Sequence, residues 1–549
     1  MKRLVLGVLA LSVSAAVMAA TPRFDGARIS ADVKELASDA YEGRSPATAG
    51  EEKTVAYLSR QFAEAGLQPG GDLDNGERLW TQAVPLLKGD IVGTPSLSLN
   101  SKGTPQPLAQ GREIAVRAAM NGDSEIAIED APLVFVGYGV KAPERDWDDF
   151  KGVDLKGKVA VVLINDPDFE TGEGDFDGKG MTYYGRWTYK YEEGARQGAL
   201  GVLIVHETAP ASYGWATVAG SNTNTMFDVV RDDPSAVHPP LEGWVQRDLA
   251  VELFARAGLD FEALKKQAQS RDFRPVELEG ETFSAAYQVK NEVITSHNVV
   301  ARLEGSSHPD ENVVYSAHWD HIGVGEPDAS GDRIFNGAAD NASGTAALLE
   351  LARGFAKAPR PQRSVLFLAV TAEEKGLLGS EYYASQPLYP LDRTVALINM
   401  DGMAPFGPSR DFGIYGSAKL ELLDRLKDVA KGWDLRYTPD PKPEAGLFFR
   451  SDHFPFAKRG VPAISYSAGQ DWIDGGVAAG KRASDEYTAK RYHQQGDEWQ
   501  PDWTFAGAAR DLEVLYTLGS QLANSRDWPN WSEDSPFRAV RDASADARR

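Results

Sequence analysis

The chain has 549 residues, of which 42% are hydrophobic and 25% charged, proportions typical of a folded globular protein and not of a disordered one. Its formal net charge of −22 argues against partners such as nucleic acid or anionic membranes, since both require a basic protein surface. Cysteine is absent, which excludes disulfides, thiolate zinc sites and thiol nucleophiles. Any metal must therefore be held by histidine and carboxylate side chains.

The first residues have the order of a secretory signal peptide. Lys2 and Arg3 precede an apolar run from Leu4 to Met18, and small residues follow it. A membrane anchor is the alternative, but the run is shorter than the ~20 residues that a spanning helix needs. We expect residues 1–20 to be a cleaved signal, and the mature chain to be periplasmic or secreted and free of the membrane.

Residues 21–96 are predicted to begin the main domain with two helices around a turn-rich stretch at residues 43–50. Apolar residues at helical spacing precede that stretch and resume after it, at Val55, Leu58 and Phe62. Residues 97–288 change to short β-rich runs among Gly, Asp and Pro loops, which indicates an inserted domain.

From residue 289 to residue 530, buried strands alternate with amphipathic helices. The predicted strands are residues 312–317, 365–370, 394–399 and 463–467, and the first two flank a predicted helix at residues 345–357. Such alternation predicts an α/β layer fold with a mostly parallel sheet. The polar, charged tail at residues 531–549 is predicted to be flexible.

Candidate metal ligands follow three of these strands. His318 follows the first strand, Glu373 and Glu374 follow the second, and Asp401 follows the third. Because the carboxyl ends of parallel strands meet at one edge of an α/β sheet, we expect these side chains to converge.

Asp340 lies in a glycine-rich loop, NGAADNASG, and its carboxylate is suited to bridge two cations. Of the adjacent glutamates, one can bind metal while the other faces the bound water. Each signal has an ordinary alternative: an aspartate in such a loop is often a turn former, and paired glutamates often begin a solvated helix.

Taken together and in order, these segments resemble the co-catalytic zinc peptidases, a family that includes secreted bacterial aminopeptidases and glutamate carboxypeptidase. The matching segments are AHWDHIG at Ala317, GAADNASG at Gly337, TAEEKGLLGS at Thr371, INMDG at Ile398 and YHQQGDEW at Tyr492. Residues 134–166 resemble a protease-associated domain. The resemblance implies a zinc exopeptidase-type three-layer αβα sandwich with a mostly parallel mixed sheet, plus an inserted β-rich protease-associated domain.

The resemblance also implies a ligand set for two zinc ions. One ion would be held by His318 and Asp401, the second by Glu374 and His493, and Asp340 would bridge both. Cobalt or manganese could replace zinc, because nitrogen and oxygen ligands bind several divalent ions.

Other residues match the family in supporting roles. Glu373 would be the catalytic base for a metal-bridging water, and Asp320 would orient His318. Asp497 would support His493 or form a solvated turn, and His321 is predicted to be structural.

Substrate contacts are predicted near the segment RSDHFPF. Arg450, Asp452 and His453 of this segment are candidate substrate-binding residues. Tyr492 would donate to the oxyanion or simply pack as an aromatic residue.

The predicted function is an exported aminopeptidase acting on peptides. A carboxypeptidase remains open, with Arg410, Arg450 or Lys442 as a cationic pocket for the substrate carboxylate. A related glutaminyl cyclase and a catalytically dead binding protein are further alternatives.

Overall fold

The computed structural model describes residues 21–548, so the predicted signal at residues 1–20 lies outside the described residues. Within this range the α-helices of five or more residues are α1 (Gly26–Leu36), α2 (Ala49–Glu64), α3 (Trp187–Arg196), α4 (Trp215–Asn222), α5 (Arg247–Arg256), α6 (Phe261–Gln267), α7 (Ser343–Lys357), α8 (Leu378–Ser385), α9 (Glu421–Ala430), α10 (Phe454–Lys458), α11 (Gly476–Lys490), α12 (Ala506–Ala523) and α13 (Arg538–Ala543).

The strands of three or more residues are β1 (Thr81–Ser101), β2 (Thr104–Pro107), β3 (Ile114–Val116), β4 (Glu125–Phe135), β5 (Val159–Leu163), β6 (Gly201–His206), β7 (Met226–Val229), β8 (Leu241–Gln246), β9 (Val276–Leu303), β10 (His308–His318), β11 (Arg363–Val370), β12 (Thr394–Met400), β13 (Asp411–Ile414) and β14 (Ala463–Ala468). All four strands predicted between residues 312 and 467, and the helix at residues 345–357, are confirmed.

One mixed sheet runs through the molecule in the order β13-β14-β12-β10-β11-β9-β4-β5-β6-β8-β3. Strands β14, β12, β10 and β11 pair in parallel, as do β4, β5, β6 and β8. Strand β9 joins the two parallel sets by antiparallel pairing with β11 and β4. The sheet is thus mixed: the strands within each set are parallel, and β9 between the two sets is antiparallel to its neighbours.

Side chains on β11 alternate between two hydrophobic cores. Val365 and Phe367 pack in the core that also contains residues of α1, α2, α7 and α12. Leu366 and Leu368 pack in a second core with residues of α8 and α10. Because successive strand residues point to opposite faces, the β11 run is apolar throughout, and helices cover both faces. This is the predicted three-layer αβα sandwich.

The insert and the main domain share two long strands. Strands β1 and β9 pair from Thr81 opposite Val299 to Ser101 opposite Glu281. The predicted domain boundaries at residues 96/97 and 288/289 fall inside these strands. A β-ribbon that crosses both boundaries therefore connects the insert to the main domain.

The tail differs from the prediction of a flexible segment. Trp531 is 2% exposed, and its ring centroid lies 5.0 Å from that of Phe537. The buried Arg541 donates to the main-chain oxygens of Thr394 and Val395 at 3.0 and 3.3 Å. The predicted flexibility is wrong for residues 531–548. The prediction rested on the polar composition of the segment, whereas Trp531, Phe537 and Arg541 hold it in place. Between residues 21 and 548, every helix is too short or too polar to cross a membrane.

Candidate metal centre

Five predicted ligands converge at the carboxyl end of the main-domain strands. His318 is the last residue of β10, and Glu374 and Asp401 follow β11 and β12. Asp340 precedes α7, and His493 follows α11. The predicted convergence of the strand ends is confirmed.

The carboxylate of Asp340 stands between two histidines. Its Oδ1 lies 3.3 Å from Nε2 of His318, and its Oδ2 lies 3.2 Å from Nε2 of His493. Asp401 Oδ1 lies 3.3 Å from the same His318 nitrogen, and Glu374 Oε2 lies 3.2 Å from the same His493 nitrogen. The five side chains form two sets of donor atoms that share Asp340.

The donor set fits zinc, which accepts imidazole nitrogen and carboxylate oxygen. The carboxylates of Asp340, Glu374 and Asp401 face one another around two imidazoles, so a cation would relieve their repulsion. The buried Oε1 of Glu374 has no hydrogen-bond partner among the described residues, as expected of an atom reserved for a metal.

His321 was predicted to be structural, yet it also belongs to the centre. This residue is fully buried, and its Nδ1 lies 2.7 Å from Oε1 of Glu374 without hydrogen-bond geometry. His321, Asp340 and Glu374 are close enough to hold a metal ion together, as are His318, Asp340 and Asp401. The imidazole of His321 is therefore available to the same set of donor atoms as His493.

The electrostatics of the centre reflect burial and crowded carboxylates. Burial raises the pKa of Glu373 well above its usual value; His318 opposes this rise, and Asp401 and Glu374 add to it. Burial acts to lower the pKa of His318, but Glu373 and the surrounding carboxylates outweigh it and raise that pKa well above its usual value. The site thus has an excess of negative charge that attracts cations.

Asp320 has a different contact from the predicted one. Its carboxylate lies 3.7 Å from Nδ1 of His318, beyond hydrogen-bond distance, whereas its main-chain oxygen lies at 3.2 Å. The carboxylate instead accepts from the main-chain N–H groups of Glu373 and Glu374, at 3.0 and 3.4 Å. Asp320 therefore positions the paired glutamates, and its carbonyl orients the histidine.

The loop of Asp340 is fixed from two sides. Asp497 is buried and accepts from the main-chain N–H groups of Ala339 and Asp340, so it supports the loop of Asp340 and is not a solvated turn. Asn341 donates to the Met400 carbonyl at 3.0 Å, which ties this loop to the strand that ends before Asp401. Both contacts limit the movement of Asp340.

Sequence reasoning missed two further side chains that support the residues of the metal centre. Ser451 contacts Asp401, and Arg44 is a fully buried side chain that donates to main-chain oxygens of Trp319 and Gly337, near His318 and Asp340. Arg44 belongs to the segment ELASDAYEGRSPATAGEE, whose resemblance to the opening helix and loop of the zinc peptidases was the signal available.

The predicted substrate contacts separate into two groups. Arg450 and Tyr492 line the cleft, and the Tyr492 ring stacks on His493 with centroids 3.9 Å apart. Asp452 and His453 are fully buried behind the cleft wall, so their prediction as substrate contacts is wrong. Asp452 accepts from Ser380, and burial lowers the pKa of His453 to about 3.

A cleft of about 1880 Å³ opens over the metal centre. The insert supplies one wall, including Arg186, Trp187 and Phe227, and the main domain supplies the other, including Glu373 and Tyr415. A peptide in this cleft would contact both domains.

Comparison with known proteins gives a consistent result. The model of peptidase family M28 matches residues 298–517. Aminopeptidase NAALADL1 of Mus musculus is 32% identical over 179 residues, covering 28% of this chain and 21% of the relative. Probable glutamate carboxypeptidase AMP1 of Arabidopsis thaliana is 26% identical over 325 residues, covering 54% and 41%. The chain thus spans less than half the length of these curated relatives.

Among solved structures, the aminopeptidase from Aneurinibacillus sp. strain AM-1 is 19% identical, with a TM-score of 0.49 and coverage of 92% of this chain and 96% of that one. The family match includes all five predicted ligands. The predicted resemblance to zinc metallopeptidases is therefore confirmed for the segment that contains the metal centre.

Proposed function

We propose that this chain, whose residues 298–517 match peptidase family M28, is an exported di-zinc exopeptidase of the aminopeptidase type. The observation that carries the proposal is Asp340, whose two carboxylate oxygens face His318 and His493 at 3.3 and 3.2 Å. Zinc bound there would polarise the scissile carbonyl and lower the pKa of water to about 7.

Glu373 would act as the base. It lines the cleft directly beside the ligand Glu374, and the bond from its main-chain N–H to Asp320, at 3.0 Å, fixes its position. In this role its carboxylate accepts a proton from the attacking water and delivers it to the leaving amine.

Tyr492 would contribute in two ways. Stacking on His493 restricts the orientation of that imidazole, whose side chain is 38% exposed. The phenol group also lines the cleft and can donate a hydrogen bond to a substrate oxygen.

The first experiment measures metal and activity in the same preparation. We expect two zinc ions per wild-type chain by elemental analysis, and hydrolysis of aminoacyl p-nitroanilides but not of their N-acetylated forms. Cleavage of N-blocked dipeptides would instead support the carboxypeptidase alternative. Protein that binds no zinc and remains inactive when zinc is added would contradict the proposal.

Export rests on the signal-like order of residues 1–20. We expect protein recovered from the periplasm or medium to begin at Ala20 or Thr21 by N-terminal sequencing. Recovery of uncleaved protein from the cytoplasm alone would contradict export and leave the peptidase proposal intact.

A further inference from the structure

A second cavity, of about 370 Å³, lies away from the metal centre. It is lined by Arg302 near the end of β9, Asp310 near the start of β10 and Arg393 directly before β12. Arg78 of a short hairpin and Tyr389 also line it. Strands β10 and β12 are parallel and carry the predicted metal ligands at their carboxyl ends, so this cavity lies at the opposite edge of the sheet.

The length of β10 gives the separation between this cavity and the metal centre. Residues 310 and 318 lie eight positions apart on the strand, which corresponds to about 25 Å at about 3.3 Å per residue. A ligand in the cavity is therefore not held at the bond that the metal centre would cleave. The cavity is a candidate for a separate binding site.

Two arginines of the cavity are held against one aromatic ring. The guanidinium groups of Arg78 and Arg302 lie 5.1 and 5.2 Å from the ring centroid of Tyr389. Stacking on an aromatic ring engages the face of a guanidinium group and leaves the N–H donors at its edge available. These two side chains are therefore oriented before any ligand binds, which lowers the entropic cost of binding.

Most N–H donors of the three arginines are unused. Each guanidinium group has five donors. The side chain of Arg78 donates only to the Gly71 oxygen, at 2.7 Å, and that of Arg393 has no hydrogen-bond partner among the described residues. Arg302 donates through Nη2 alone, and its buried Nε has no partner within residues 21–548. The cavity thus offers many donors to an acceptor from outside.

The positive charge of the three arginines is only partly compensated. Among residues 21–548, Arg78 and Arg393 form no ion pair. Arg302 lies 3.7 Å from Glu304, but Glu304 also pairs with Arg360, at 3.3 Å. Such a concentration of positive charge in a chain of net charge −22 indicates a site for an anion.

Asp310 is the one acidic residue among the described residues that line the cavity. It is exposed and pairs with none of the three arginines. Three arginines and one aspartate leave the lining with two positive charges in excess. The carboxylate of Asp310 opposes an anion, but water screens an exposed charge of this kind.

We propose that this cavity binds a phosphate group, either as inorganic phosphate or as the ester of a small molecule. A phosphate group presents three strong acceptor oxygens and up to two negative charges, so it can accept from all three guanidinium groups at once. The cavity volume lies near the lower end of small-molecule sites, about 300–1,000 Å³, which leaves room for a small organic part. This inference does not depend on the proposed peptidase function.

Titration calorimetry on the zinc-loaded protein tests the proposal. The probes are inorganic phosphate and glycerol 3-phosphate, each in chloride buffer of constant ionic strength. We expect at least one of them to bind, and the probe that binds more tightly identifies the free or the esterified source. Binding of neither probe would overturn the proposal.

Three variants assign the binding to this cavity. Arg78→Gln and Arg393→Gln should each weaken phosphate binding about 10-fold or more, because each removes hydrogen bonds to a charged group. Asp310→Asn should instead tighten it about two- to fivefold, since it removes a screened negative charge. The control is Arg450→Gln, which removes an arginine from the cleft over the metal centre and should bind phosphate as wild type does.

Two results would place the anion elsewhere and overturn the proposal. One is phosphate affinity that falls in Arg450→Gln but not in Arg78→Gln or Arg393→Gln. The other is loss of all phosphate binding when zinc is removed with a chelator, which would mean that the anion binds the metal. Retained binding in the chelated protein, with the same dependence on Arg78 and Arg393, would support the site whether or not the protein is a peptidase.

Discussion

Ser451 donates a hydrogen bond of 2.6 Å to Oδ2 of Asp401, while the other carboxylate oxygen of Asp401 lies 3.3 Å from Nε2 of His318. Asn399 donates to the Ser451 hydroxyl at 2.7 Å and accepts from Ser316 at 2.7 Å. This chain of hydrogen bonds decides which oxygen of Asp401 faces the histidine. The metal centre therefore depends on polar side chains buried beneath it.

Replacing Ser451 by alanine should weaken metal binding. Without its hydrogen bond, Asp401 can rotate away from His318, and loss of such a supporting contact lowers metal affinity about 10- to 100-fold. Competition with a chelator measures the affinity. The control is Ser409→Ala, since Ser409 is also buried but donates to the Asp411 carbonyl. Equal zinc affinities of Ser451→Ala and wild type would show that this hydrogen bond does not hold the ligand.

A second prediction separates metal binding from proton transfer. Glu373→Gln should retain its zinc and lose about 100- to 10,000-fold in kcat, because a positioned acid–base group contributes about that much. Asp340→Ala should lose zinc from both sets of donor atoms, because one carboxylate oxygen of Asp340 faces His318 and the other faces His493. Elemental analysis and kinetics on the same samples provide the measurement. Near-normal kcat in Glu373→Gln would exclude this residue as the base.

The main-domain fold and the convergence of side chains at its strand ends could be predicted because their signals are local. A run such as Val365 to Val370 is apolar throughout, and the residues after it are acidic. The order of strands and the rule that sites form beyond their carboxyl ends then bring Glu374 and Asp401 together.

The supporting contacts could not be predicted because they depend on the sequence only through the folded structure. Asp320 was expected to orient His318 by its carboxylate, but the turn after β10 presents its main-chain oxygen instead. Asp452 and His453 lie two and three residues after the cleft-lining Arg450, yet a local turn directs them inward. Proximity in sequence does not determine which side chains reach a cleft.

Arg44 provides a third prediction, on stability. Its guanidinium donates to the main-chain oxygens of Leu36, Trp319, Asn336 and Gly337 at 2.6 to 2.8 Å. Arg44→Ala would leave these buried carbonyls unpaired, at a cost of at least about 3 kcal/mol in the free energy of unfolding.

Thermal denaturation and zinc content test the Arg44 prediction together. Arg44→Ala should lower both the Tm and the zinc content, because the unsupported chain segments carry His318 and Asp340. Arg60→Ala is the control: Arg60 is an exposed arginine on α2 whose guanidinium lies over the Tyr57 ring. An unchanged Tm in Arg44→Ala would contradict the assigned role.

The last prediction concerns pH and rests on His238, which lies in the insert wall of the cleft. Its Nδ1 lies 2.7 Å from Glu242, and its Nε2 lies 2.8 Å from Asp228. Burial acts to lower the pKa of His238, but Glu242 and Asp228 outweigh it and raise that pKa to about 9 from its ordinary 6.5. Arg117 and Arg231 face the same carboxylates.

A raised histidine pKa means that the folded state binds the proton more tightly than the unfolded state. The stabilisation is therefore complete below about pH 6.5 and is lost as the pH rises through about 9. A shift of this size corresponds to at most about 3 kcal/mol. Urea denaturation at pH 6, 7.5 and 9.5 should show wild-type stability falling across this range, and His238→Gln should remove most of that fall. His308→Gln, outside this network, should retain the wild-type slope. If His238→Gln keeps that slope as well, another group is responsible for the pH dependence.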